Sequence, residues 1–177
     1  MGFVRRHKLE TETELYEYAL GALARRMRSV VELKRLLRQR VDSESELGRT
    51  LVELVVRRLK DQGYLNDAKY AAAYSAFRRD NERFGRRRVT TDLKVKGIVG
   101  EVIDQAVDTT FAEVDEEKQA RAYLRRKRLE KPSDKKQAAR TFRQLMRAGF
   151  SPKTIFKILR QWDVDEETLS AFESEAD

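Results

Sequence analysis

Apolar residues recur every three to four positions along almost the whole chain, and short polar turns interrupt them, the pattern of successive amphipathic helices. Leu15, Ala19, Ala22 and Leu23 predict a first helix over 14–28. Ser29 then stands as an N-cap with Glu32 three residues on, the spacing of a reciprocal capping pair, and Val30, Leu33, Leu37 and Val41 form the stripe of a second helix. A third is predicted over 46–62. Its centre, Leu51-Val52-Glu53-Leu54-Val55-Val56, is apolar on nearly every side, so it should be the most buried of the three, and Gly63 ends it. Asn66-Asp67 caps the next helix, whose Tyr70, Ala73, Tyr74 and Phe77 share one face; with Tyr64 these aromatics are expected in the core rather than as base-stacking rings. Gly85 separates it from a basic helix over 86–96, and another follows over 101–111. The last third predicts helices near 115–130, 134–148 and 152–162, with Pro132 before a Ser133 cap. Ser151-Pro152 opens the last of them, because proline lacks only an amide that is unbonded in a first helical turn. Phe142, Leu145 and Met146 give one core stripe, and Ile155, Phe156, Leu159 and Trp162 the next.

A short motif recurs within this pattern: a leucine, three residues, a glycine and a large apolar residue. It reads Leu93-Lys94-Val95-Lys96-Gly97-Ile98 and again Leu145-Met146-Arg147-Ala148-Gly149-Phe150. A third copy, from Leu36 to Val41, carries Arg40 in the glycine position. Copies spaced 57 and 52 residues apart predict an all-α chain of three tandem three-helix repeats, forming an elongated, curved helical-repeat protein. The expected boundaries are an N-terminal arm over 1–13, repeats over 14–65, 66–113 and 114–162, and an acidic tail over 163–177.

Composition narrows the function classes. There is no cysteine, so neither a disulfide framework nor a thiolate metal site is available, and no apolar run approaches the roughly 18 residues of a membrane span. No secretory segment opens the chain, where Arg5-Arg6-His7-Lys8 leads into acids, and a cytoplasmic protein without a membrane role is expected. His7 is the sole histidine and no phosphate-binding G-x-x-x-x-G-K-[ST] loop occurs. Thiol, triad and zinc chemistry all lack their parts, so no catalytic residue, metal or cofactor is expected, and the chain is read as no enzyme. Nothing resembles a long heptad seam, and a monomer is expected.

Charge changes the picture most. The net charge is +8, yet the seven acids from Asp163 to Asp177 stand without a base, and without them the chain would carry +15. On a helical wheel Lys118, Arg121, Arg125 and Arg128 fall within an arc of roughly 80°, away from Tyr123 and Leu124. The 78–96 stretch adds Arg78, Arg79, Arg83, Arg86, Arg87, Arg88, Lys94 and Lys96 against Asp80, Glu82 and Asp92. A passive solvated face mixes signs at helical spacing, and these faces mostly do not, which favours a surface for a polyanion. The candidate partner-binding or DNA-binding residues are Arg78, Arg79, Arg86, Arg87, Arg88, Lys94, Lys96, Arg121, Arg125 and Arg128. Groove reading by the helix after Gly97 is disfavoured, since Glu101, Asp104 and Asp108 would face phosphate. Two readings stay open: phosphate-tracking nucleic-acid binding without sequence preference, and binding to an acidic protein surface that encloses DNA.

The run from Leu59 through Gly63-Tyr64-Leu65-Asn66-Asp67 to Tyr70-Ala71, then Phe77-Arg78-Arg79 and Phe84-Gly85-Arg86-Arg87-Arg88-Val89 to Gly97-Ile98, resembles the RecX family, bacterial regulators of the RecA recombinase. The resemblance covers roughly residues 14–162 and departs at Arg40-Val41, where the family pattern has a glycine and an aromatic. It implies three tandem three-helix units that bind the groove of the RecA filament on single-stranded DNA. There they lower ATPase, strand-exchange and coprotease activity, a role in recombination, DNA repair and the SOS response. RecA would be the partner and single-stranded DNA a weak or indirect one.

Overall fold

The computed structural model describes residues 8–176, so Arg5, Arg6 and His7 of the basic arm and Asp177 of the tail lie outside the described residues. Among the described residues the chain is all-α, with ten helices and no strand. They are α1 (Glu12–Arg25), α2 (Val30–Arg38), α3 (Glu46–Asp61), α4 (Asp67–Asp80), α5 (Arg86–Val95), α6 (Gly100–Phe111), α7 (Glu116–Arg126), α8 (Lys135–Arg147), α9 (Pro152–Gln161) and α10 (Glu166–Ala176).

Local chemistry sets these ends. Ser29 and Glu32 form the expected reciprocal cap, the Glu32 amide donating to Ser29 Oγ at 3.1 Å and the Ser29 amide to Glu32 Oε2 at 3.2 Å. An equivalent box at Thr11 and Glu14 starts α1 two residues before the expected position. Asp134, not Ser133, caps α8, accepting from the Gln137 amide at 2.7 Å, because a carboxylate is the stronger acceptor for an orphan amide. The stretch expected as a bare acidic tail contains α10. Asp165 caps it through the Thr168 amide and hydroxyl, both at 2.8 Å, and its Leu169 and Phe172 are buried. Two apolar side chains one turn apart outweigh the acids at its start, where the exposed Glu166 and Glu167 pair with Arg160 and Lys135.

By its packing contacts the chain divides into two compact units, and residues 66–113 contribute to both. The first unit comprises residues 1–71 and 94–102. Its core joins Leu15 and Ala19 of α1, Leu33 and Leu37 of α2, and Leu51, Val52, Val55, Val56 and Leu59 of α3. The second unit comprises 72–93 and 103–177. There α7, α8, α9 and α10 enclose Tyr123, Leu124, Phe142, Leu145, Phe150, Ile155, Leu159, Leu169 and Phe172, with the Phe142 ring stacked on Phe172 at 4.9 Å between centroids. The aromatics of the middle stretch divide: Tyr70 is buried, whereas Tyr64 is 62% and Phe77 53% exposed, contrary to the expectation of a shared core face. Tyr64 follows the Gly63 turn outside any helix, and α4 buries Ser75 beside its Tyr70 turn instead of Phe77.

The recurring glycines make close joints. In the first unit Ser29 Oγ, at the start of α2, donates to the Lys96 carbonyl at 2.7 Å. Gly97 then lies against Val31, where a Cβ would come within 2.5 Å of a Val31 methyl. In the second unit the end of α8 meets the start of α5: the Gly85 amide donates to the Ala148 carbonyl at 2.8 Å, and the Arg87 amide to that of Gly149 at 3.3 Å. These bonds satisfy amides that a helix N-terminus otherwise leaves open. Gly97 has φ +75° and Gly149 φ +90°, and Arg40 has no such conformation. Its turn is one residue tighter. The buried leucine there is Leu37, one position later than the motif predicts, and Leu36 is only partly buried. In place of a helix start, the carbonyls of Arg40 and Val41 accept from the Leu9 amide at 2.7 Å and Lys8 Nζ at 2.8 Å.

Candidate functional site

Six of the ten candidate cations are held in ion pairs. In the second unit Asp92, only 13% exposed, collects two of them: Arg78 Nη2 at 2.6 Å and Arg88 Nε at 3.0 Å. Tyr74 donates its hydroxyl to the same carboxylate at 3.1 Å, and the Arg78 guanidinium lies 4.4 Å from the Phe84 ring centroid. One carboxylate, two guanidiniums and two rings thus fasten α4 to α5. Arg79 forms two parallel bonds to Asp80, at 2.7 and 2.9 Å, and a third to the Thr110 carbonyl at 2.7 Å. The Arg79–Asp80 hydrogen bonds push the Arg79 guanidinium above its ordinary value and hold the Asp80 carboxyl below its own. Arg86 pairs with Asp108 of α6. Arg121 pairs with Glu117 at 3.0 Å and also reaches Gln161.

The sixth pair lies in the first unit. Lys96 Nζ sits 2.9 Å from Glu32 Oε1, both half-buried, and 5.7 Å from the Tyr70 ring centroid. Burial pushes the Glu32 carboxyl up, but the Lys96 ammonium and the Ser29 amide outweigh it and hold the group below its ordinary value. For Lys96, burial acts downward, and the hydrogen bonds to Tyr70 and Glu32 reverse that and raise it. Such a pair fixes the joint between α2 and the end of α5. Removing either partner would leave a desolvated charge.

Four candidates remain outside any ion pair among the described residues: Arg87, Lys94, Arg125 and Arg128, all exposed. Lys94 belongs to the first unit and the other three to the second. A wheel placed Arg121, Arg125 and Arg128 on one face, and the structure separates their roles. Arg121 braces α7, Arg125 ends its last turn, and Arg128 lies beyond the helix with φ +53°.

Sequence reasoning did not foresee two features. Arg83, at φ +58°, shares the left-handed conformation and has no ion pair among the described residues. The acids Asp92 and Asp108 look on the sequence like a bar to anion binding, yet each is consumed by an arginine. No group of three or more His, Cys, Asp or Glu side chains that could hold a metal occurs among the described residues. No helix there is long and apolar enough to cross a membrane.

Comparison with known proteins gives a consistent result. Residues 66–107 match the family described as RecX, second three-helix domain. The regulatory protein RecX of Leptothrix cholodnii is 34% identical over 145 residues, covering 82% of this chain and 87% of that protein. The Pseudomonas putida regulatory protein RecX is 30% identical over 158 residues, covering 89% and 97%. A crystal structure of regulatory protein RecX superposes with a TM-score of 0.63 at 24% identity, over 85% of this chain and 71% of that one, a likeness of fold. With relatives this similar over nearly their full length, the chain belongs to the RecX family of regulatory proteins.

Proposed function

We propose that this chain regulates the RecA recombinase by binding the filament that RecA forms on single-stranded DNA, lowering its ATPase, strand-exchange and coprotease activities without catalysing a reaction. The observation that carries the proposal is family membership, 34% identity over 82% of the chain. The surface supports it. Arg87, Lys94, Arg125 and Arg128 offer charge uncommitted to internal pairs, suited to acidic side chains and phosphates together. Met27, Val31, Leu47, Leu54, Tyr64, Val95 and Val99 give the first unit exposed apolar groups of the kind that anchor protein contacts. Regulation needs no bond chemistry on this account. A ligand that prefers one filament geometry shifts the population toward it, and that can stop extension or favour disassembly. The working form would be a monomer in the cytoplasm, where the recombinase acts.

The test is single-strand-dependent RecA ATPase with this protein at substoichiometric amounts, beside its affinity for bare single-stranded DNA. Inhibition at amounts too small to coat the DNA is the expected outcome. Tight binding to bare DNA with no effect on a preassembled filament would overturn the proposal in favour of a general nucleic-acid-binding helical protein.

A further inference from the structure

Six described residues adopt a left-handed backbone: Gly63, Gly97, Gly149, Asp163, Arg83 and Arg128. Glycine adopts it without strain, and aspartate tolerates it better than most side chains. Asp163 also has an internal partner, Lys131 at 2.6 Å. Arginine has the same Cβ crowding against the following carbonyl without the short polar side chain with which aspartate bonds the local backbone. Both arginines lie just beyond a helix end, Arg83 after α4 and Arg128 after α7. The chain returns there through the Phe84 amide to the Arg78 carbonyl at 3.1 Å, and through the Leu129 amide to the Leu124 carbonyl at 2.9 Å. Glycine is the residue such a backbone favours, so the conformation itself does not account for an arginine side chain.

The two turns are tied together. Arg126, in the last turn of α7, donates to the Asn81 carbonyl at 2.6 Å and pairs with Glu82 at 3.3 Å, just after the end of α4. The acids nearest Arg83 in sequence already have ion-pair partners, Glu82 in Arg126 and Asp80 in Arg79, and Arg83 adds only a longer-range attraction to Asp80. Arg83 and Arg128 make no ion pair among the described residues, and neither does the exposed Arg125. One turn before Asn81, Phe77 holds its ring in solvent, the one exposed large apolar side chain of the second unit among the described residues. A protein-binding face would need several apolar anchors here. Guanidiniums at two linked helix ends, with one exposed ring on α4, suit the backbone and a base of an unpaired strand, phosphates on the charges and the base on the ring.

We infer that the linked ends of α4 and α7 form a single-stranded nucleic-acid site in which Arg83 and Arg128 contact backbone phosphates and Phe77 stacks on a base. The site does not require the RecA reading, since it concerns bare strand. The double variant Arg83→Gly with Arg128→Gly tests it in the full chain, read by fluorescence anisotropy with a labelled oligothymidylate at several salt concentrations and by thermal unfolding. The expected result is a melting temperature equal to or above that of the parent, roughly tenfold or greater loss of affinity, and a salt slope shallower by about 1.4, the share of two phosphate contacts on a single strand. Phe77→Leu should weaken binding severalfold and leave that slope unchanged. A lower melting temperature would make the arginines structural and overturn the inference. So would unchanged affinity, including the case in which RecA inhibition alone is lost and the arginines face protein. If the site holds and RecA ATPase is untouched by the parent protein, it is the regulatory proposal that fails.

Discussion

The two glycine joints use one motif against different neighbours, and the difference sets how much each can tolerate. Gly149 faces backbone: a Cβ there would lie 2.2 Å from the Arg88 amide nitrogen and 2.9 Å from its Cα, atoms fixed inside α5. Gly97 faces only the side chain of Val31, at 2.5 to 3.0 Å, and Val31 is itself partly in solvent. The first arrangement is rigid on both sides, since Gly85 also meets the Gly149 carbonyl at 2.4 Å from an added Cβ. The second can yield by moving a methyl. Identical residues in identical turns therefore carry unequal structural weight, decided by whether helix backbone or a side chain lies opposite.

Substitution by alanine separates these cases, because all the glycines compared carry the same left-handed penalty and only the surroundings differ. Gly149→Ala should be the most damaging, about 3–4 kcal/mol from the backbone overlap and the strained φ together, measured as a fall in urea midpoint of the full chain. Gly97→Ala should cost roughly 2 kcal/mol, and combining it with Val31→Ala should recover the steric part, a coupling that a double-mutant cycle reads directly. Gly63→Ala should cost only about 1 kcal/mol, since nothing lies within 4 Å of the added carbon and only φ +76° opposes it. Equal losses at all three positions would show that backbone conformation alone matters and that the joints contribute nothing.

Much of the fold was legible because its causes are local. The α2 stripe and its Ser29–Glu32 cap, the Gly63 stop and the Ser151-Pro152 start act over one turn of chain, within reach of a pattern read along the sequence. The tenth helix was missed because Leu169 and Phe172 lie in a run of acids, and their worth comes from Phe142 across the core. The motif glycines were visible as turn formers. Their second role, admitting the start of another helix, was not, because Val31 lies far from Gly97 in sequence and Arg88 far from Gly149. Arg40 makes the same point from the other side, since the residues it meets are Leu9 and Tyr18 rather than a helix start, and no glycine is required.

The candidate surface shows the division most sharply. Periodicity alone determined that the chain is helical and that its cations sit on outward faces, because both follow from 3.6 residues per turn. For three of the six paired cations, the partner was set only in three dimensions. The carboxylates that hold Arg78, Arg86 and Lys96 stand 14, 22 and 64 residues away, on other helices. A helical wheel registers charges on its own helix, as for Arg88 with Asp92 and Arg121 with Glu117, whereas these three pairs form across the gap between helices, where packing has already brought the partners together.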